Sequence, residues 1–403
     1  MNANSKSNVW LFKYMWIVAI LPKMLQAVLL FAIAICLMWK RRGKIKLDFF
    51  FLMVVGYVLV HAISILTNCI FGEYETDRIL AAFNTAFIWC VAIVFYNYYA
   101  DSQVNGLDIA KYCFINNTVM IALAFIARFM RYVINTYTLP VTHRVLYSYD
   151  GWYSRFQGFM EYPTLVSSLV LLMTPWALYF ILNKVNRPFR IPCAVIYYVL
   201  SFFPIYISYS RNGYVLFWSG AVGILFLCWK VKLGSKNKRV LAIIVGTLFL
   251  AGAVFFSQYT IALVNKLLDM RQGSNSTRMD IYKETIENLQ GWNLLLGCGI
   301  KKIGRVGYPL GSHCTYLGFL YKTGIAGTLM IMAALLRQGI FLLKSLLKSQ
   351  KIRDGICLLF ALLMFAYFIF EDMDGCDWFL CIWFSIIGVL RRLQGCNAKE
   401  SFT

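Results

Sequence analysis

The sequence predicts an all-α fold, a polytopic integral membrane protein of about 12 transmembrane helices with one long external loop between spans 9 and 10. Three observations predict it. Hydrophobic residues make up 60% of the 403 positions and charged ones only 14%, against about 25% charged in a soluble domain; mean hydropathy is +0.65. Apolar runs of about 20 residues, the length a helix needs to cross a bilayer, recur along the chain. Lys and Arg collect in short stretches between those runs, as they do in cytoplasmic loops.

The formal charge of +21 would suggest nucleic acid in a soluble protein. Here the clustering of the basic residues accounts for it as a topology signal, and no nucleic-acid partner is expected. Most of the 12 cysteines lie inside apolar runs, where Cys acts as a small hydrophobe. No Cys/His ligand spacing occurs, so neither a metal site nor a cofactor is expected. Cys298, Cys314 and Cys376 fall toward the oxidising side, which leaves a disulfide among them open. The N-terminal apolar run lacks a small-residue cleavage site and reads as a retained first span.

The spans follow in order. The first, about 9–21, breaks at Pro22; the second, about 24–39, ends in KRRGKIK, which fixes a cytoplasmic loop. The third, about 48–70, carries His61, read as a packed or hydrogen-bonded core residue, with an intramembrane site as the alternative. The acidic loop GEYETDR leads to the fourth span, about 80–99, and a fifth follows at about 112–134. Arg128 and Arg131, near its external end, share one helix face; snorkelling to lipid headgroups and meeting an anion inside the bundle are both open.

Residues 135–160 form an aromatic-rich external loop; Gly158 and Pro163 follow Arg155, and a bend there is expected to bring the arginine over the bundle. The sixth, seventh and eighth spans are expected at about 161–183, 191–209 and 213–229, each cytoplasmic end marked by Lys and Arg. The ninth, about 240–258, opens the long segment 259–316, external by parity. Spans at about 317–336, 355–370 and 378–390 complete the chain. The acidic loop EDMDGCD between the last two suits the outside; cation binding and pairing with the arginines are its alternatives. Domain boundaries are drawn at 1–154 for an N-terminal bundle, 155–390 for the membrane domain with its loop, and 391–403 for a short cytoplasmic tail.

Three arginines fall at or beside the external face next to small polar residues: Arg155, Arg211 in SYSRNGY, and Arg278 in SNSTRMDIYKETIENL. A guanidinium fork matches phosphate oxygens by two-point contact, while snorkelling is the plainer alternative. Ser276 or Thr277 is expected to cap a helix over about 278–290, which sets Arg278 in the first turn, against the helix dipole. The stripe Met279, Tyr282, Ile286, Leu289 predicts an amphipathic helix lying along the membrane surface. His313 follows GYPLGS, where an imidazole near neutral pKa suits proton abstraction from a hydroxyl. An ordinary polar residue at a helix start is the plainer reading.

SYSRNGY, STRMDIYKETIENLQGWNLLLGCGI and GSHCTYLGFLYKTGIAGTLMIMAALL together resemble the O-antigen ligase/polymerase superfamily over about residues 155–390. The resemblance implies transfer of a lipid-linked glycan at the outer face of the bacterial cytoplasmic membrane. It places the loop base on His313, the diphosphate-binding arginines on Arg211 and Arg278, and the GxG turn on Gly297 and Gly299. Cys314 departs from the Asn common there. Implied partners are a polyprenyl-diphosphate-linked donor, a glycan acceptor, membrane lipids, and assembly proteins such as a flippase and a chain-length regulator. Polymerase is the first reading, for repeat units of O-antigen, capsule or exopolysaccharide, and ligase the second. The rival from another class is a multispan transporter or flippase, which predicts internal repeats and broken helices with polar groups at mid-membrane; a sensor or assembly scaffold has no need of His313.

Overall fold

The computed structural model describes residues 9–102, 104–129, 145–150, 153–230, 272–349, 351–373 and 376–400. The predicted ninth span and Arg131 lie outside them, as does Asp374 of the acidic loop. Eight of the described helices are long and apolar enough to cross a membrane. Their length and hydropathy are those of a polytopic membrane protein.

The first predicted span takes a different form. It consists of two short helices, α1 (Trp10–Lys13) and α2 (Met15–Ile20), interrupted at Tyr14. Together they reach only about 16 Å, roughly half the hydrocarbon thickness. Extended backbone at Leu21 and Pro22 then starts α3 (Lys23–Lys40). Helices α4 (Phe49–Phe71), α5 (Thr76–Asp101) and α6 (Gly106–Phe129) follow at full span length. Next come a hairpin of β1 (Tyr147–Asp150) and β2 (Tyr153–Phe156), then α7 (Thr164–Lys184), α8 (Arg190–Ile207) and α9 (Arg211–Lys230). Beyond these are α10 (Gln272–Glu287), the short α11 (Trp292–Leu296), α12 (Thr315–Ser349), α13 (Ile352–Phe370) and α14 (Asp377–Glu400).

Helix α7 is central, with Leu165 to Leu178 buried on every side. Its polar residues are absorbed by neighbours: Ser168 pairs with the Tyr367 hydroxyl of α13. Asn117 of α6 donates to Tyr197 (3.1 Å) and Ser201 (2.9 Å) of α8. Such contacts join helices where lipid offers no hydrogen-bond partner.

The two ends of the bundle differ in chemistry. At one end Asp48 caps α4 through the Phe51 N–H (2.9 Å) and accepts from Tyr96 (2.6 Å). There Arg41 pairs with Asp101 (2.9 Å) and Arg391 approaches Asp48 (3.5 Å). This end carries the basic stretches expected on the cytoplasmic side. The opposite end gathers β1–β2, the α8–α9 turn, α10, the start of α12 and the α13–α14 connection.

Candidate functional site

The α8–α9 turn is built for close approach. Tyr209 takes a left-handed conformation (φ 50°). Ser210 then starts α9, its carbonyl accepting the Tyr214 N–H (3.0 Å) and its hydroxyl the Gly213 N–H (3.3 Å). A Cβ at Gly213 would stand 2.5 Å from Ser167 Oγ and 2.8 Å from an Ile205 methyl. Glycine there lets the first turn of α9, with Arg211 and Asn212, seat against α7 and α8.

Arg155 lies on β2, opposite Ser148 in the register, and is buried. Its Nε donates to the Ser208 carbonyl over 3.0 Å. The bend expected after Arg155 thus carries it against the turn that precedes Arg211. Arg128, in the last turn of α6, is exposed.

Helix α10 corrects two expectations. It is already helical at Gln272, so Ser276 and Thr277 lie inside it and not at its N-cap, and Arg278 is past the first turn. The buried face is also rotated from the predicted stripe. Met279 and Ile286 are exposed, whereas Ile281, Thr285 and Leu289 are buried and Arg278 and Tyr282 are partly so. Spacing of three and four residues places Arg278, Ile281, Tyr282, Thr285 and Leu289 on one face. Tyr282 and Leu289 of the predicted stripe stay on the inward face while Met279 and Ile286 fall off it, because much of that face is polar.

That polar face organises the histidine turn. Tyr282 donates its hydroxyl to the His313 carbonyl (2.9 Å), and the Gly311 N–H donates to Thr285 Oγ1 (2.9 Å). His313 is half-buried with a left-handed backbone (φ 63°), a conformation costly for a residue with a Cβ. The Tyr308 ring stands edge-on to the imidazole, 5.9 Å between centroids.

The most informative residue belongs to the acidic loop EDMDGCD, for which pairing with the arginines is one of the alternatives the sequence offers. Glu371, just past α13, is buried; its Oε1 lies 3.0 Å from Asn212 Nδ2 and 3.6 Å from Arg278 Nη2. Its carbonyl accepts from both the N–H (3.1 Å) and the hydroxyl (2.7 Å) of Thr315, two residues after His313. Burial pushes the Glu371 carboxyl above its ordinary range, while Arg278, Asn212 and Arg155 pull it back. Asp372 pairs in turn with Lys301. Glu371 thus pairs with an arginine, one of the alternatives for the acidic loop, whereas the partner of Asp372 is a lysine.

Gly297 and Gly299 serve a backbone joint. Helix α12 breaks at Gly324 (φ 58°, ψ −162°). The Tyr321 and Lys322 carbonyls, near the break, accept from the N–H groups of Cys298 (2.6 Å) and Gly299 (3.1 Å). On the other side, Ser64 donates to the Gly297 carbonyl (2.8 Å) and His61 Nε2 meets the Gly299 carbonyl (3.2 Å). A Cβ on Gly297 would collide with the Lys322–Thr323 backbone, and one on Gly299 would stand 2.6 Å from the Ile65 nitrogen. Both glycines have positive φ. Irregular backbone inside a helical bundle survives where protein groups satisfy it, as here. His61 is therefore a hydrogen-bonded core residue, and the loop threads between α4 and α12 instead of merely covering them. Cys298, Cys314 and Cys376 are all free thiols.

The α8–α9 turn, α10 and the histidine turn thus converge on Glu371, with β2 joined through Ser208. No curated protein matches the chain. The family model described as O-antigen ligase matches residues 196–332, so over that stretch, which holds Arg211, Arg278, Gly297, Gly299 and His313, the chain is similar to that family.

Proposed function

We propose that the chain polymerises oligosaccharide repeat units linked to polyprenyl diphosphate, at the external face of the cytoplasmic membrane. In this reading an acceptor hydroxyl attacks the anomeric carbon of the donor sugar. His313 takes the hydroxyl proton as the C–O bond to the diphosphate breaks. The bonding pair leaves with the diphosphate, and attack from the opposite side inverts the anomeric centre. Arg155, Arg211 and Arg278 face the charge that grows on the leaving oxygen, a stabilisation that needs no metal.

One observation carries the reading: Glu371 bonds Asn212, neighbours Arg278 and is held by Thr315, so the segments bearing Arg211, Arg278 and His313 meet at one residue. The external placement rests on the basic stretches at the opposite end of the bundle. Deleting the gene tests the reading and separates its two forms. Accumulation of single repeat units supports a polymerase, and long unattached chains support transfer of finished glycan by a ligase. An unchanged surface glycan sinks both.

A further inference from the structure

We infer that Glu371 is a positioning residue that holds Arg278 ready for the substrate diphosphate and reclaims it from the product. The inference rests on the diphosphate reading of the arginines. Its own basis is the geometry around one carboxylate. The Glu371 side chain is 9% exposed and that of Arg278 20%. Oε1 stands between the Arg278 guanidinium (3.6 Å) and the Asn212 amide (3.0 Å). Those two donors, from different helices, aim at one oxygen, as two donors aim at a phosphate oxygen. The 3.6 Å separation is longer than a closed charge-assisted hydrogen bond, so Arg278 is oriented without being locked.

The backbone of Glu371 leaves its carboxylate little freedom to move away. Thr315 clamps the carbonyl by two hydrogen bonds, and Thr315 Oγ1 also accepts the Met373 N–H (2.9 Å). When the donor binds, the diphosphate competes with Glu371 for Arg278. After the C–O bond breaks, the product diphosphate has gained an ionisable oxygen and binds the arginines more tightly than the donor did. A fixed carboxylate beside Arg278 opposes that gain by charge repulsion and by offering the guanidinium another partner. Product release limits many enzymes, and binding that is merely tighter does not raise turnover.

The test uses the full-length protein in detergent, with farnesyl diphosphate as the probe for binding and product inhibition, and a lipid-linked donor for turnover. Glu371→Gln keeps the shape and removes the charge. It is expected to bind farnesyl diphosphate about three- to tenfold more tightly, with kcat and KM both falling. Glu371→Asp keeps the charge but draws it back; its turnover falls without any tightening. A purely structural role would lower turnover in both variants without tightening binding in Glu371→Gln. That result overturns the proposal, as does wild-type turnover in Glu371→Gln. Should Glu371→Gln not fold, Asn212→Ala replaces it: freeing Oε1 to engage Arg278 more fully should weaken farnesyl diphosphate binding, and unchanged binding overturns the proposal. Arg278→Ala separates the two levels. Unchanged probe binding there removes the diphosphate reading and this inference with it, whereas weakened binding there beside a wild-type-like Glu371→Gln removes this inference alone.

Discussion

The Tyr282 hydroxyl donates to the His313 carbonyl over 2.9 Å, and Tyr282 lies one helical turn from Arg278. The same helix face therefore carries a candidate phosphate ligand and the brace of the candidate base. His313 sits in a left-handed backbone conformation that must be held by its surroundings. Tyr282→Phe deletes one hydrogen bond, worth about 1 kcal/mol. We expect a fall in kcat of about fivefold with KM little changed, read from steady-state kinetics on a lipid-linked donor. A fall in KM affinity alone would place Tyr282 in substrate binding instead.

Arg211 opens α9 beside Asn212, the Glu371 partner. Arg211→Ala should lower turnover by at least tenfold, and Arg211→Lys should recover only part of it, since a point charge cannot reproduce the two-point fork. Full recovery with Lys would show that charge alone suffices there.

Gly297 has φ 85°, and a Cβ on it has no room against the Lys322–Thr323 backbone. With ψ 171° its backbone lies in a region essentially restricted to glycine, which costs a residue with a Cβ roughly 1–3 kcal/mol before any clash. Gly297→Ala should therefore reduce the yield of folded protein and its melting temperature, measured by size-exclusion chromatography and thermal unfolding in detergent. The glycine's part is to let two backbones touch; normal folding with lost activity would assign it to the substrate instead.

How much of this was legible in the sequence depended on the range of the cause. Helices α3 to α8, α12 and α13 announce themselves through local hydropathy, and the basic stretches mark one end of the bundle. Arg155 and Arg211 stand out as guanidinium groups beside small polar residues at the external boundary, Arg278 by its expected place against a helix dipole, and His313 as an imidazole in a glycine-containing turn. Three things stayed hidden. The α10 face is chosen by its polar partners, so Met279 and Ile286 misled the periodicity. The break at Gly324 and its pairing with residues 297–299 joins segments distant in sequence, which no local pattern encodes. Glu371 looked like one acid of an acidic loop, and its distinction from Asp372 comes only from Asn212 and Arg278.

The central claim is that His313 takes the acceptor proton while the arginines receive the leaving diphosphate. Its most direct test is the rate at which reconstituted protein converts a polyprenyl-diphosphate-linked oligosaccharide into longer glycan and free polyprenyl diphosphate. General-base catalysis is worth about a hundredfold or more. The account predicts that folded His313→Ala loses at least that much in both products while still binding farnesyl diphosphate. Glycan transfer by His313→Ala at the wild-type rate would contradict it.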